Sequence, residues 1–181
     1  MAEKKEESEG TGLTTGRLYF AYGSNMNLDQ MEYRCPSAFV VENVRLEDYR
    51  LAFCGRNPDR GVATILPEKG SHVDGVLWKI TDECEYSLDR YEGYPFLYGK
   101  QSICVKGKKG REYTCMVYVM NAPYKEYPSN PSKFYLDGIL EGCRQNKISV
   151  RPVKQAVERT RDEITKRIDG RMQKHRKGYE R

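Results

Sequence analysis

Histidine is nearly absent from this chain: His72 and His175 are the only two, and neither has a second ligand at metal spacing. A zinc centre and a histidine-activated nucleophile are therefore not expected, and no metal or cofactor is. The six cysteines (Cys35, Cys54, Cys84, Cys104, Cys115, Cys143) include no Cys-x-x-Cys pair, and buried or half-buried free thiols in a reducing compartment are expected. No apolar run approaches a membrane span, so no membrane partner is expected, and the acidic, lysine-rich first residues lack the pattern of a secretory signal. A cytoplasmic location follows as the expectation. Gly107-Lys108-Lys109-Gly110 lacks Walker spacing and joins two strand-like runs, so it reads as a hairpin tip. Ser24 stands in Tyr-Gly-Ser-Asn-Met, which is not the Gly-x-Ser-x-Gly of a nucleophile elbow.

Charge is present but uneven. The chain carries a net +5, and the segment from Arg151 to Arg181, with 11 Lys/Arg against 5 Asp/Glu, carries more than all of it. A basic helix can meet nucleic acid or an anionic surface. Only Tyr179 interleaves those charges and no nucleic-acid motif accompanies them, so a solvated amphipathic helix is expected and nucleic acid is not.

The chain divides into a polar tail over residues 1–16, one domain over 17–170 and a basic extension over 171–181. Strands are expected at Leu18–Tyr22, Phe39–Arg45, Arg50–Phe53, Val62–Leu66 and Val73–Ile80, and a hairpin at Gln101–Lys106 and Glu112–Met120. Helices are expected at Asn27–Tyr33, Asp82–Glu92 and Pro131–Asn146, the last with Phe134, Ile139, Leu140 and Cys143 as its apolar residues. A final helix begins near Val153, with Val153, Val157, Ile164 and Ile168 on one face. About eight strand-like runs and three or four helices make an α+β fold.

Two segments carry chemistry. Tyr22-Gly23-Ser24-Asn25 ends the first strand and precedes a helix. A glycine that permits positive φ lets successive N–H groups converge on a carboxylate or phosphate there. Leu88-Asp89-Arg90-Tyr91-Glu92-Gly93-Tyr94 ends a helix whose start is Thr81-Asp82-Glu83, and leaves Glu92 at the C-terminal end. The helix dipole raises the pKa of a carboxylate at that end, so Glu92, flanked by Tyr91, Tyr94 and Tyr98, is a candidate proton carrier.

Together with Pro131-Ser132-Lys133-Phe134-Tyr135-Leu136-Asp137-Gly138-Ile139 and Arg60-Gly61-Val62-Ala63-Thr64-Ile65, these segments resemble, in order and separation, the γ-glutamylcyclotransferase superfamily. That superfamily includes the butirosin-biosynthesis cyclotransferases and the plant avirulence-induced proteins. The resemblance implies a small mixed β-barrel flanked by α-helices, with the site at the barrel mouth and homodimers in some branches. It implies release of 5-oxoproline from a small-molecule γ-glutamyl substrate, whose own α-amine attacks its γ-carbonyl. By the same resemblance, Glu92 is the general acid/base, and Gly23, Ser24 and Asn25 hold the α-carboxylate through their N–H groups. Tyr22, Tyr98 and Tyr135 then stand at substrate-contacting positions. The loops Gly55–Gly61 and Ala122–Asn130 are expected to receive the leaving amine. The alternative from a different class is a non-catalytic carboxylate-binding module on the same fold.

Overall fold

The computed structural model describes residues 16–179, so residues 1–15 of the expected polar tail lie outside the described residues. Five strands close into a barrel in the order β1-β3-β2-β4-β5: β1 Arg17–Ala21, β2 Phe39–Cys54, β3 Val62–Ile80, β4 Tyr98–Lys106 and β5 Glu112–Met120. Neighbours are antiparallel except β1 and β5, which pair in parallel at Tyr19 and Met116. The barrel is thus mixed, and Arg45 opposite Lys106 closes it between β2 and β4. Four helices pack around it: α1 Leu28–Arg34, α2 Asp82–Glu92, α3 Lys133–Gln145 and α4 Arg151–Tyr179.

Fewer and longer strands form than the local pattern suggests. The runs expected as Phe39–Arg45 and Arg50–Phe53 are two halves of β2, and Val62–Leu66 and Val73–Ile80 are two halves of β3. The polar residues between them make an irregularity in a continuous pairing, not a turn. Asp48 takes φ 61, Gly70 takes φ 81, and the Gly70 N–H donates to Asp48 Oδ1 at 2.8 Å, so the interruption on one strand binds that on the other. Both breaks fall at the same level, and the pairing resumes beyond them with a shifted register.

Capping side chains set the helix ends that position the site. Asn27 Oδ1 accepts the Gln30 N–H at 3.1 Å to start α1 directly after the Tyr-Gly-Ser-Asn segment. Thr81 Oγ1 accepts the Cys84 N–H to start α2, and Gly93, left-handed at φ 66, ends it immediately after Glu92. Ser132 caps α3, which therefore starts at Lys133, two residues inside the boundary expected at Pro131.

α3 buries Ile139, Leu140 and Cys143, whereas Phe134, expected with them, is 87% exposed in the first turn. The helix approaches the segment after Asn25 so closely at Gly142 that a Cβ there would stand 2.6 Å from the Asn27 nitrogen. α4 buries Val153 and Val157, but Ile164 is only half-buried and Ile168 is 48% exposed. Its helix continues through residues 171–179. The core fills the barrel with Phe20, Phe53, Ile65, Leu77, Val105 and Val117 and continues beneath the helices with Met31, Leu88 and Ile139.

Candidate active site

β1 delivers Tyr22 and then breaks into a single 3-10 turn over Ser24–Met26. Gly23 enters this turn at φ -118, not in the left-handed region expected of it. Its smallness matters for space: a Cβ would lie 3.3 Å from Ala63 Cβ and 3.6 Å from the Tyr135 hydroxyl. Among the described residues, the N–H groups of Gly23, Ser24 and Asn25 meet no acceptor, as befits the first donors of a helical turn.

The Glu92 side chain comes from the last turn of α2 into the same crevice. Its Oε1 accepts from Asn25 Nδ2 at 2.8 Å, and the same nitrogen donates to the Tyr19 hydroxyl at 2.9 Å. The other end of the amide is held too, because Arg34 Nη1 donates to Asn25 Oδ1 at 2.5 Å. Trp78 Nε1 fixes the Asn25 backbone carbonyl at 3.1 Å. Burial pushes the Glu92 carboxyl up to about 7, against the opposing pull of the Arg34 charge and the Asn25 amide. The expected direction is met, and its first cause is removal from water.

Every sequence-predicted site residue lines this narrow crevice: Tyr22, Gly23, Ser24, Asn25, Glu92, Tyr98 and Tyr135. Tyr19 and Ala63 complete the lining. The three tyrosine hydroxyls are committed differently. Tyr22 donates to the Tyr118 carbonyl at 2.6 Å and Tyr98 donates to the Ala63 carbonyl at 2.5 Å. Tyr135 instead accepts the Ala63 N–H at 3.1 Å. Burial is the first cause that raises all three phenols above their usual range, so each is a neutral hydroxyl.

The other expected neighbours of Glu92 diverge. Tyr91 is exposed and reaches the site through Ser24, the two hydroxyls standing 3.2 Å apart. Tyr94 turns outward beneath the Lys100 ammonium, 4.5 Å from its ring centre. The loops expected to receive the leaving amine are stitched together, Gly55 N–H to the Tyr127 carbonyl at 2.9 Å and Gly61 N–H to the Asn130 carbonyl at 2.8 Å. With α4 they border a separate open cleft of about 340 Å³, lined in part by Arg56, Tyr127 and Arg167, which shares no lining residue with the Glu92 crevice.

Arg34, Tyr19 and Ala63 are site residues that the sequence did not reveal. A basic residue in the last turn of a helix ordinarily answers the helix dipole, and only the short helix placed after Asn25 hints that it could turn back. No helix of the described residues is long and apolar enough to cross a membrane, and no cluster of three or more potential metal ligands occurs among them.

Comparison with known proteins agrees with this geometry. The family model described as gamma-glutamyl cyclotransferase, AIG2-like, matches residues 19–137, a span that contains every residue of the crevice. The bovine gamma-glutamylcyclotransferase is 35% identical over 136 residues, 71% of this chain and 71% of that protein. The human protein of the same name is 35% identical over 137 residues with the same coverage. A solved structure named gamma-glutamyl cyclotransferase superposes with a TM-score of 0.69 at 32% identity, covering 78% of this chain and 86% of that one. A yeast γ-glutamyl cyclotransferase described as specific to glutathione shares the fold at a TM-score of 0.58 and 12% identity, over 81% of this chain and 96% of that one. A crevice of this lining, on a closed mixed barrel with these relatives, has one family assignment: the chain belongs to the γ-glutamyl cyclotransferase, AIG2-like family.

Proposed function

We propose that the protein is a γ-glutamylcyclotransferase that releases 5-oxoproline and an amine or amino acid from a γ-glutamyl substrate, with Glu92 as its general acid and base. The observation that carries the reading is the Glu92 carboxyl, held 2.8 Å from Asn25 Nδ2 beside the open N–H groups of Gly23, Ser24 and Asn25. A substrate α-carboxylate accepts from those N–H groups, which leaves its α-amine close to Glu92 and folds the chain toward its γ-carbonyl.

The reaction needs a base first and an acid second. An α-ammonium group ordinarily has a pKa of about 8, whereas an unperturbed glutamate lies near 4.5 and is a poor base for it. With Glu92 at about 7 the gap closes by ~3 kcal/mol of proton-transfer cost. Glu92 takes a proton from the ammonium. The freed amine attacks the γ-carbonyl, and the protonated carboxyl returns its proton to the departing nitrogen as the amide bond breaks. The nucleophile belongs to the substrate, so the chain supplies no serine or cysteine for the attack.

Tyr22, Tyr98 and Tyr135 form the wall that selects the compact glutamyl group, and Ala63, bound by the latter two hydroxyls, keeps that wall in register. We place this reaction in the cytoplasm, with a homodimer as the assembly to test. The assay is 5-oxoproline release, by mass spectrometry, from γ-glutamyl dipeptides, γ-glutamyl-ε-lysine and glutathione, with wild type and Glu92→Gln. Release that depends on Glu92 supports the reading, and the preferred amine names the substrate. Release that persists in Glu92→Gln overturns the role of Glu92. No release from folded protein with any of them, together with a thermal shift on adding glutamate-like carboxylates, favours the binding module.

A further inference from the structure

We propose that Cys35 and Cys84 are a redox-active pair that closes to an intramolecular disulfide under a diffusible hydroperoxide, clamping the end of α1 to the start of α2 beside the crevice. The two residues lie 49 positions apart in sequence, yet the fold brings them together: Cys35 closes α1 and Cys84 stands in the first turn of α2. The Cys35 thiol donates to the Cys84 carbonyl oxygen at 3.6 Å, which sets the two residues side by side. Ser37 Oγ lies 3.3 Å from the Cys84 sulfur. Both cysteines are buried, but Pro36 and Ser37 beside them are exposed, so the pair sits just beneath the surface.

The two thiols are unequal in the way such chemistry needs. Burial works to raise the Cys84 thiol, but hydrogen bonds from Ser37, Thr81 and Cys35 outweigh it and leave Cys84 below the ordinary thiol range. Cys35, raised to about 12 first by burial and then by its neighbour, stays protonated. Cys84 is thus the attacking thiolate and Cys35 the resolving thiol.

The Cys84 sulfur attacks one peroxide oxygen, the O–O bond breaks, and the leaving hydroxide takes the proton that Cys84 has lost and departs as water. The Cys35 sulfur then attacks the resulting sulfenic acid at sulfur. The S–O bond breaks, and the hydroxyl leaves with the Cys35 proton as a second water. Two thiols are oxidised to one disulfide, and one hydrogen peroxide is reduced to two waters.

Closure draws the two sulfurs to a bond of about 2 Å. Arg34, which holds Asn25 against Glu92, immediately precedes Cys35 and moves with it. A displacement near 1 Å at a positioning group is enough to cost roughly 10²-fold in rate.

The test uses the full chain carrying Cys104→Ser, which removes the exposed thiol. It is treated with hydrogen peroxide, alkylated and peptide-mapped. The expected result is a dithiothreitol-sensitive cross-link between the Cys35 and Cys84 peptides. With it, 5-oxoproline release should fall tenfold or more and recover on reduction. Adding Cys84→Ser should leave release from untreated protein intact and abolish its peroxide sensitivity.

Recovery of both thiols in alkylated form, or sulfonic acids without a cross-link, overturns the pair. A quantitative cross-link with undiminished release overturns its coupling to the crevice. That coupling rests on the cyclotransferase reading, whereas the cross-link does not. If reduced protein releases no 5-oxoproline, the function fails and the disulfide is still decided by mass.

Discussion

Arg34 and Asn25 are joined by the short contact that orders the crevice: Nη1 donates to Oδ1 at 2.5 Å, so the asparagine amide can present only its nitrogen to Glu92. The same guanidinium stacks 3.5 Å from the centre of the Tyr91 ring, which ties α1 to α2 across the mouth of the site. One cation thereby fixes an amide, steadies a helix pair and favours the ionised form of the proposed base.

Arg34→Met should therefore shift the acid limb of the kcat/KM–pH profile upward. In the wild type that limb should centre on about 7, the value to which burial raises the carboxyl. Arg34 opposes that rise, so its removal leaves burial less opposed and the limb moves to higher pH. A profile unchanged in position but lowered in height would mean that Arg34 acts by geometry alone.

Glu92→Gln should separate activity from stability. Turnover should drop roughly 10²–10⁴-fold, the usual contribution of a positioned acid–base group. Stability should move the other way. The folded state holds the Glu92 proton up to about 7, above its ordinary 4.5, so ionisation works against folding as pH rises through that interval. Below it both side chains are neutral and the variant gains nothing. Above it the glutamine avoids the buried charge, so the variant's Tm should exceed that of wild type by most at pH 8. Thermal melts of both proteins at pH 4.5 and pH 8 check the sign.

Gly23→Val tests what the glycine is for. At φ -118 a branched residue meets no left-handed strain, but ψ -139 lies outside the ordinary extended range, so the fold should persist with a modest fall in Tm. Its methyl groups would instead occupy the space between Ala63 Cβ and the Tyr135 hydroxyl. KM for a γ-glutamyl dipeptide should rise tenfold or more, a loss of ~1.4 kcal/mol in binding. A large fall in Tm with KM unchanged would return the glycine to a purely structural role.

Local signals made parts of this site legible and hid others for physical reasons. Thr81 and Gly93 are side-chain and backbone devices that act within a few residues, so the ends of α2, and hence the position of Glu92, followed from the sequence. The strand boundaries did not, because Asp48 and Gly70 look like turn residues one strand at a time and become a paired irregularity only when β2 lies against β3. Phe134 looked like core by type, yet the first turn of α3 leaves it in solvent. Arg34 and Tyr19 were hidden because their partners arrive from other elements: Tyr19 from β1 and Arg34 from α1 converge on one asparagine amide. The cause of the Glu92 shift was out of reach in the same way, since burial is a property of the assembled crevice.

The tyrosines give the final prediction, because their hydroxyl protons are not equally free. Tyr22 and Tyr98 spend theirs on the backbone carbonyls of Tyr118 and Ala63. Tyr135 receives the Ala63 N–H, which leaves its own proton free to be donated to the developing negative charge of the γ-carbonyl oxygen in the proposed reaction. Tyr98→Phe should accordingly cost ~0.5–1.5 kcal/mol of stability for a lost hydrogen bond while leaving kcat within a few-fold of wild type. Tyr135→Phe should cost a similar amount of stability and, in addition, lower kcat by about 10-fold or more, since it also removes a donor used in the transition state. Side-by-side melts and turnover measurements of the two variants decide it. Equal losses of kcat would show that both rings act only as wall, and a larger loss in Tyr98→Phe would reverse the assignment of the donor.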